Sequence, residues 1–210
     1  MDVEGSGRAT KLSAGLRRND LIYTAMRLFA GLVLRPFFRL RVQGAGGLPP
    51  NGGYVLLPKH QRWEDIPLLG LACPHRLYYV AKHELFAAEP GSWFLKSLGG
   101  VPLHRRNPLK TKRYLRDLIA LITEGHPVAV FPEGTYFPGR VGPGQTGLVR
   151  FILKRYSPLF VPVGIAYHGA GPVREVHVCF GRGCRVGAAE RVDVFMDRVM
   201  RQIADLSGLS

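Results

Sequence analysis

His60 and Asp65 are the residues of this chain best placed to do chemistry. They bound the segment His60-Gln-Arg-Trp-Glu-Asp65, directly after the short apolar run Tyr54-Val-Leu-Leu-Pro58. An imidazole titrates near neutral pH, so a histidine in a loop after a buried strand can act as a general base. A carboxylate that turns back onto the ring can fix its tautomer and stabilise the imidazolium. Such a pair also occurs in purely structural roles, and Asp65 is equally placed to cap a following helix. Two further segments shift the balance. Val128-Ala-Val-Phe-Pro-Glu-Gly-Thr135 runs from an apolar strand into an acid-bearing turn. Its glycine lets the backbone approach a ligand closely, and Glu133 must meet a cation, a donor or water. Leu98-Gly-Gly-Val-Pro-Leu-His-Arg-Arg106 puts Arg105 and Arg106 behind another short strand. Guanidinium forks suit phosphate, although a solvated charge pair is the plain alternative.

These segments need strand ends to hold them. Apolar, extended runs are predicted at residues 40–43, 54–58, 77–81, 101–103, 128–131, 159–167 and 175–180. Helical periodicity is predicted at 19–39, from 66 to 71, at 109–125, 147–155 and 190–206, with a mixed stretch at 84–98 broken by Pro90-Gly91. The alternation predicts a single α/β domain with a largely parallel central sheet flanked by helices. In such sheets, ligands bind where strands hand over to helices. The organisation expected is a flexible N-terminus and membrane-interface helix over residues 1–40, then the main domain over 41–210.

Asn19 or Asp20 can cap the first helix, and Pro36 should kink or stop it. The helical segment and its flanks carry Arg17, Arg18, Arg27, Arg35 and Arg39 together with Leu21, Leu28, Phe29 and Leu32. That pattern fits an amphipathic helix lying in a headgroup plane. A helix packed on the protein's own core with a solvated basic face gives the same pattern. The apolar stretch over residues 21–34 contains Arg27 and falls short of the roughly 20 residues a spanning helix needs. Asp2 and Glu4 argue against a signal peptide.

Composition bounds the partners. Lys and Arg total 29 against 15 Asp and Glu, a net charge of +14. So basic a chain favours nucleic acid, anionic lipid or a phosphorylated substrate. The 3 cysteines form no Cys-x-x-Cys pair, which fits a reducing compartment. The 7 histidines are scattered without zinc-site spacing, so no metal is expected.

Taken in order, the three segments resemble the glycerolipid acyltransferase family, typified by 1-acylglycerol-3-phosphate acyltransferases. The family's His-x4-Asp motif is matched by His60 and Asp65. Its glycine-led stretch ending in Arg is matched by Gly99-Gly-Val-Pro-Leu-His-Arg105, preceded by Lys82-His-Glu-Leu85. Its Phe-Pro-Glu-Gly-Thr motif is matched by Phe131–Thr135, and its Val-Pro-Val strand by residues 161–163. The resemblance covers residues 54–167 and implies transfer of a fatty acyl group from an acyl thioester to the free hydroxyl of a lysophospholipid. Foremost among acceptors is 1-acylglycerol-3-phosphate, giving phosphatidic acid for phospholipid biosynthesis.

Under that resemblance His60 removes the hydroxyl proton and Asp65 orients and supports it. Arg105 grips the acceptor phosphate, Glu133, Gly134 and Thr135 belong to the acceptor site, and Lys82 meets charge on the thioester oxygen or the donor phosphate. No cofactor is implied beyond acyl-CoA or acyl carrier protein as co-substrate. The implied setting is the cytoplasmic face of an anionic membrane, with peripheral or monotopic attachment and no nucleic-acid partner. Three positions depart from the family pattern. Lys59 stands where many members have Asn, His104 where many have Asp, and Tyr136 where the third motif usually continues with Arg. Arg106 or Arg140 can stand in for the missing arginine, or the acceptor headgroup differs. Two rival classes, a non-enzymatic basic protein for membrane or nucleic acid and a metal hydrolase, predict respectively that His60→Ala is harmless and that chelators abolish activity.

Overall fold

The computed structural model describes residues 17–51, 53–103 and 108–209. Seven strands run β1 (Phe38–Gln43), β2 (Tyr54–Pro58), β3 (Tyr78–Lys82), β4 (Gly100–Leu103), β5 (Val128–Ala129), β6 (Leu159–His168) and β7 (Arg174–Phe180). The helices are α1 (Asp20–Leu34), α2 (Asp65–Ala72), α3 (Gly91–Ser97), α4 (Pro108–Thr123), α5 (Gly147–Leu153) and α6 (Val192–Ser207). The strands form one sheet in the order β1-β7-β6-β2-β5-β3-β4. Every neighbouring pair is parallel except β6 with β7, which are antiparallel. The α/β class and the largely parallel sheet are therefore as the sequence predicts.

Alternation along the strands splits the core into two layers. Val55 and Leu57 of β2 pack with Leu118, Ile122, Ile152 and Phe195, from α4, α5 and α6. Tyr54 and Leu56 pack on the other face with Leu34, Leu68 and Leu69, from α1 and α2. Strands β2 and β6 are covered on both faces, which is why they read as near-continuous apolar runs.

The first helix departs from its predicted extent. Asn19 caps it as expected, its side chain accepting from the N–H groups of Leu21 and Ile22. It stops at Leu34, because Pro36 cannot continue the hydrogen-bond ladder, and the chain enters β1 at Phe38. Arg39 is thus a strand residue and Arg17 and Arg18 precede the helix. Arg27 turns inward, donating from Nη2 to the carbonyls of Leu71 and Cys73 at 3.3 and 3.0 Å. It caps the carboxyl end of α2. What faces outward is the apolar side: Leu21, Leu28 and Leu32 are each more than 70% exposed. Among the described residues, no helix is long and apolar enough to cross a membrane.

The site is positioned by the carboxyl ends of β2, β5 and β3, which are adjacent in the sheet. Strand β6 has 10 residues against 5 in β2, and Pro58 pairs with Val163. So β6 runs on past the end of β2, alongside the loop that carries His60.

Candidate active site

His60 follows β2 by two residues, and Asp65 opens α2. The connecting turn folds back so that Asp65 Oδ2 accepts from the backbone N–H groups of Gln61 (2.5 Å) and Arg62 (2.7 Å). The carboxylate thereby satisfies the free donors of the turn before the helix. The same oxygen lies 3.1 Å from His60 Nδ1. An oxygen already accepting from two amides is the acceptor here too, so Nδ1 carries the proton and Nε2 holds the lone pair. Asp65 is fully buried, while His60 keeps 8% exposure.

The imidazole is held by two aromatic rings. Phe131 stacks on it with ring centroids 3.9 Å apart, and Tyr136 meets it edge-on at 4.4 Å. Both come from the turn after β5. Gly134, at φ +68°, makes the reversal that sends Glu133 inward and leaves Thr135 and Tyr136 exposed.

Glu133 has a different position from the one its motif implies. Its carboxylate is buried behind the His60 loop and does not line the cavity. Both of its oxygens accept from Lys59 Nζ at 2.9 Å. Oε2 also accepts from His60 N (2.8 Å), and Oε1 from Gly142 N (2.7 Å). Lys59 Nζ donates further to the carbonyls of His60 and Phe137. Burial pulls the Lys59 ammonium below the usual lysine range, while the hydrogen bond and charge of Glu133, and the charge of Asp65, pull it back up. A side chain at residue 142 would collide with the Phe137 ring, so only glycine lets this backbone close on Glu133.

The two loops are stitched together further by Gln61. Its Nε2 donates to the Ile165 carbonyl at 2.7 Å, and its Oε1 accepts from Gly139 N at 2.8 Å. Lys59, Gln61 and Tyr167, whose hydroxyl donates to Asp65 Oδ1, are the site residues that sequence reasoning missed. Lys59 stood out only as a departure from a family pattern, and the other two carry no local signal.

His60 opens onto a cavity of roughly 880 Å³. Its wall is mostly apolar, with Val80, Leu85, Leu115, Val130, Leu148 and Phe151 among the lining residues. Lys82, Gly134, Thr135 and Tyr136 line it as well. Arg140 does not: it is exposed, with its guanidinium over the Phe137 ring at 5.3 Å. Arg105 and Arg106 lie outside the described residues. Among the described residues, no group of three or more His, Cys, Asp or Glu side chains is arranged to hold a metal ion.

Fold and site together define an α/β protein with a histidine–carboxylate pair at the strand ends, open to an apolar cavity. The chain belongs to the acyltransferase family, whose model matches residues 39–166. It is 32% identical over 138 residues to the 1-acyl-sn-glycerol-3-phosphate acyltransferase of Bacillus subtilis, covering 65% of this chain and 66% of that one. It is 35% identical over 103 residues to the lyso-ornithine lipid O-acyltransferase of Rhodobacter capsulatus, covering 49% and 36%. The crystal structure of the 1-acyl-sn-glycerophosphate acyltransferase of Thermotoga maritima shares the fold, with a TM-score of 0.68 and 22% identity over 90% of this chain and 80% of that one. The chain spans between 32% and 66% of the length of the curated relatives it matches.

Proposed function

We propose that this protein transfers a fatty acyl group from an acyl thioester to the free hydroxyl of 1-acylglycerol-3-phosphate, making phosphatidic acid. One observation carries the reading: His60 commits Nδ1–H to a buried carboxylate and turns its other edge to an apolar cavity of roughly 880 Å³. That volume lies within the usual range for small-molecule sites, and its walls suit an acyl chain. His60 Nε2 takes the acceptor's hydroxyl proton as the oxygen attacks the thioester carbonyl. The tetrahedral intermediate then collapses, the new ester forms, the C–S bond breaks, and the imidazolium returns its proton to the departing thiolate. The donor is acyl-CoA or acyl carrier protein. Lys82, on the cavity wall, is placed to meet negative charge on either substrate.

Docking on an anionic bilayer completes the reading. The outward side of α1 presents Leu21, Leu28, Phe29 and Leu32, and Trp93 of α3 is also exposed. Helix α1 packs against α3. An apolar strip on a chain of net charge +14 suits peripheral or monotopic attachment to anionic lipid, at the cytoplasmic face where soluble thioesters are present.

The test is an acyl-transfer assay with purified protein, one labelled thioester and a panel of lysolipids. Preferred turnover of 1-acylglycerol-3-phosphate is expected. Preference for another headgroup would move the acceptor and keep the chemistry. Turnover of none, with a folded sample, would overturn the reading.

A further inference from the structure

Among the described residues, Asp65 receives one hydrogen bond from outside its own loop. Its Oδ1 accepts from the hydroxyl of Tyr167 at 2.6 Å, a residue 102 positions further along the chain. The other bonds on this carboxylate, from His60 Nδ1, Gln61 N and Arg62 N, all converge on Oδ2. We propose that Tyr167 is a positioning residue for the base: it pins Asp65 Oδ1, keeps Oδ2 turned to His60, and draws off part of the carboxylate charge that the imidazole feels. The inference rests on His60 acting as the base.

Three features support it. The overshoot of β6 beyond β2 is what brings Tyr167 level with Asp65. The ring is itself held, edge-on to Phe38 with centroids 6.2 Å apart and beneath the Arg62 guanidinium at 5.3 Å. Burial, and then the charge of Asp65, push the phenol above its usual range, so it stays protonated and a donor at working pH. Tyr167 does not line the cavity, so it acts through Asp65 and not on substrate.

The sign of its effect follows from charge. A carboxylate relieved of a donor carries more charge density, stabilises an imidazolium better, and lets His60 protonate at higher pH. The other groups facing this pair are the Lys59–Glu133 pair behind the loop, Tyr136 at the ring edge, and Arg62 and Glu64 beside Tyr167. All are retained in the variants below, so differences report the one hydrogen bond.

The experiment follows the His60 ring by NMR through a pH titration of the full chain without substrate, its signal assigned by loss in His60→Gln. Tyr167→Phe keeps the ring contacts and deletes the hydroxyl. The protonation midpoint of His60 is expected to rise by several tenths of a pH unit. Incorporating 3-fluorotyrosine at position 167, a stronger donor, is expected to lower it, and this protein tests the idea even if Tyr167→Phe folds poorly. With substrates, kcat of Tyr167→Phe is expected to fall about tenfold with KM little changed. An unmoved midpoint in both proteins, or shifts in the same direction, would overturn the proposal. Because the titration needs no substrate, its failure is separate from failure of the acyl-transfer reading.

Discussion

Lys59 and His60 are neighbours in the chain, and each meets a buried carboxylate supplied from elsewhere. Lys59 and Glu133 have side chains with 0% exposure, and among the described residues their partners come from the His60 loop and the 133–142 loop. His60 and Asp65 differ in one respect. Asp65 is saturated by donors, but the imidazole keeps its Nε2 edge on the cavity, with no hydrogen-bond partner for that nitrogen among the described residues. The first pair spends its bonding capacity on holding two loops together. The second keeps one lone pair available. The difference teaches that a buried ion pair beside an active site is not thereby part of the chemistry. What matters is which polar atom is left without a protein partner, and what space it faces.

The comparison is broken most severely at Asp65. Asp65→Asn replaces an acceptor with a group able to donate toward Nδ1, favouring the wrong tautomer, and kcat should fall by about 10³–10⁴. Steady-state rates with both substrates saturating check it, and a loss below tenfold would reduce Asp65 to a helix-start residue. Lys59→Met should act on stability instead. Leaving Glu133 buried without its cation costs about 3–5 kcal/mol, which lowers the melting temperature by roughly 6–20 °C in a chain of this size. Adding Glu133→Gln should recover part of that loss in a calorimetric double-mutant cycle, because the uncompensated charge is gone. A single variant as stable as the wild type would show that the closed pair is not a clamp. The smallest effect belongs to a residue outside both pairs. Leu28→Asp removes an apolar contact from the outward side of α1 and should weaken binding to anionic vesicles about tenfold, as read by sedimentation. Unchanged vesicle binding would remove α1 from the docking surface.

Much of this arrangement was legible in the sequence where the pattern was local. Strand and helix periods gave the α/β class, and the strand-to-turn segments gave His60, Asp65 and Phe131–Thr135, which the fold brings to adjacent strand ends. The order of strands was not legible. Nothing local announces that β5 inserts between β2 and β3, or that β7 reverses direction at one side of the sheet. Glu133 shows the boundary clearly. An acid after an apolar run had to meet a cation or donors, which it does, but its cation is 74 residues away and the pair lies behind the site. Tyr167 and Gln61 were invisible for the same reason: their partners are set by strand register and not by spacing along the chain. The role of Arg27, the one basic residue within α1, was not legible either, because nothing local announces that it will cap a neighbouring helix.

The most direct test compares the two neighbours in one measurement: single-turnover acyl transfer by His60→Gln and Lys59→Met, at a temperature where both are folded. If the open pair carries the chemistry, His60→Gln is slowed by about 10³-fold or more, and Lys59→Met stays within about tenfold of the wild type. A His60→Gln protein within tenfold of the wild type, or a Lys59→Met protein slowed as much as it, would contradict the division of roles.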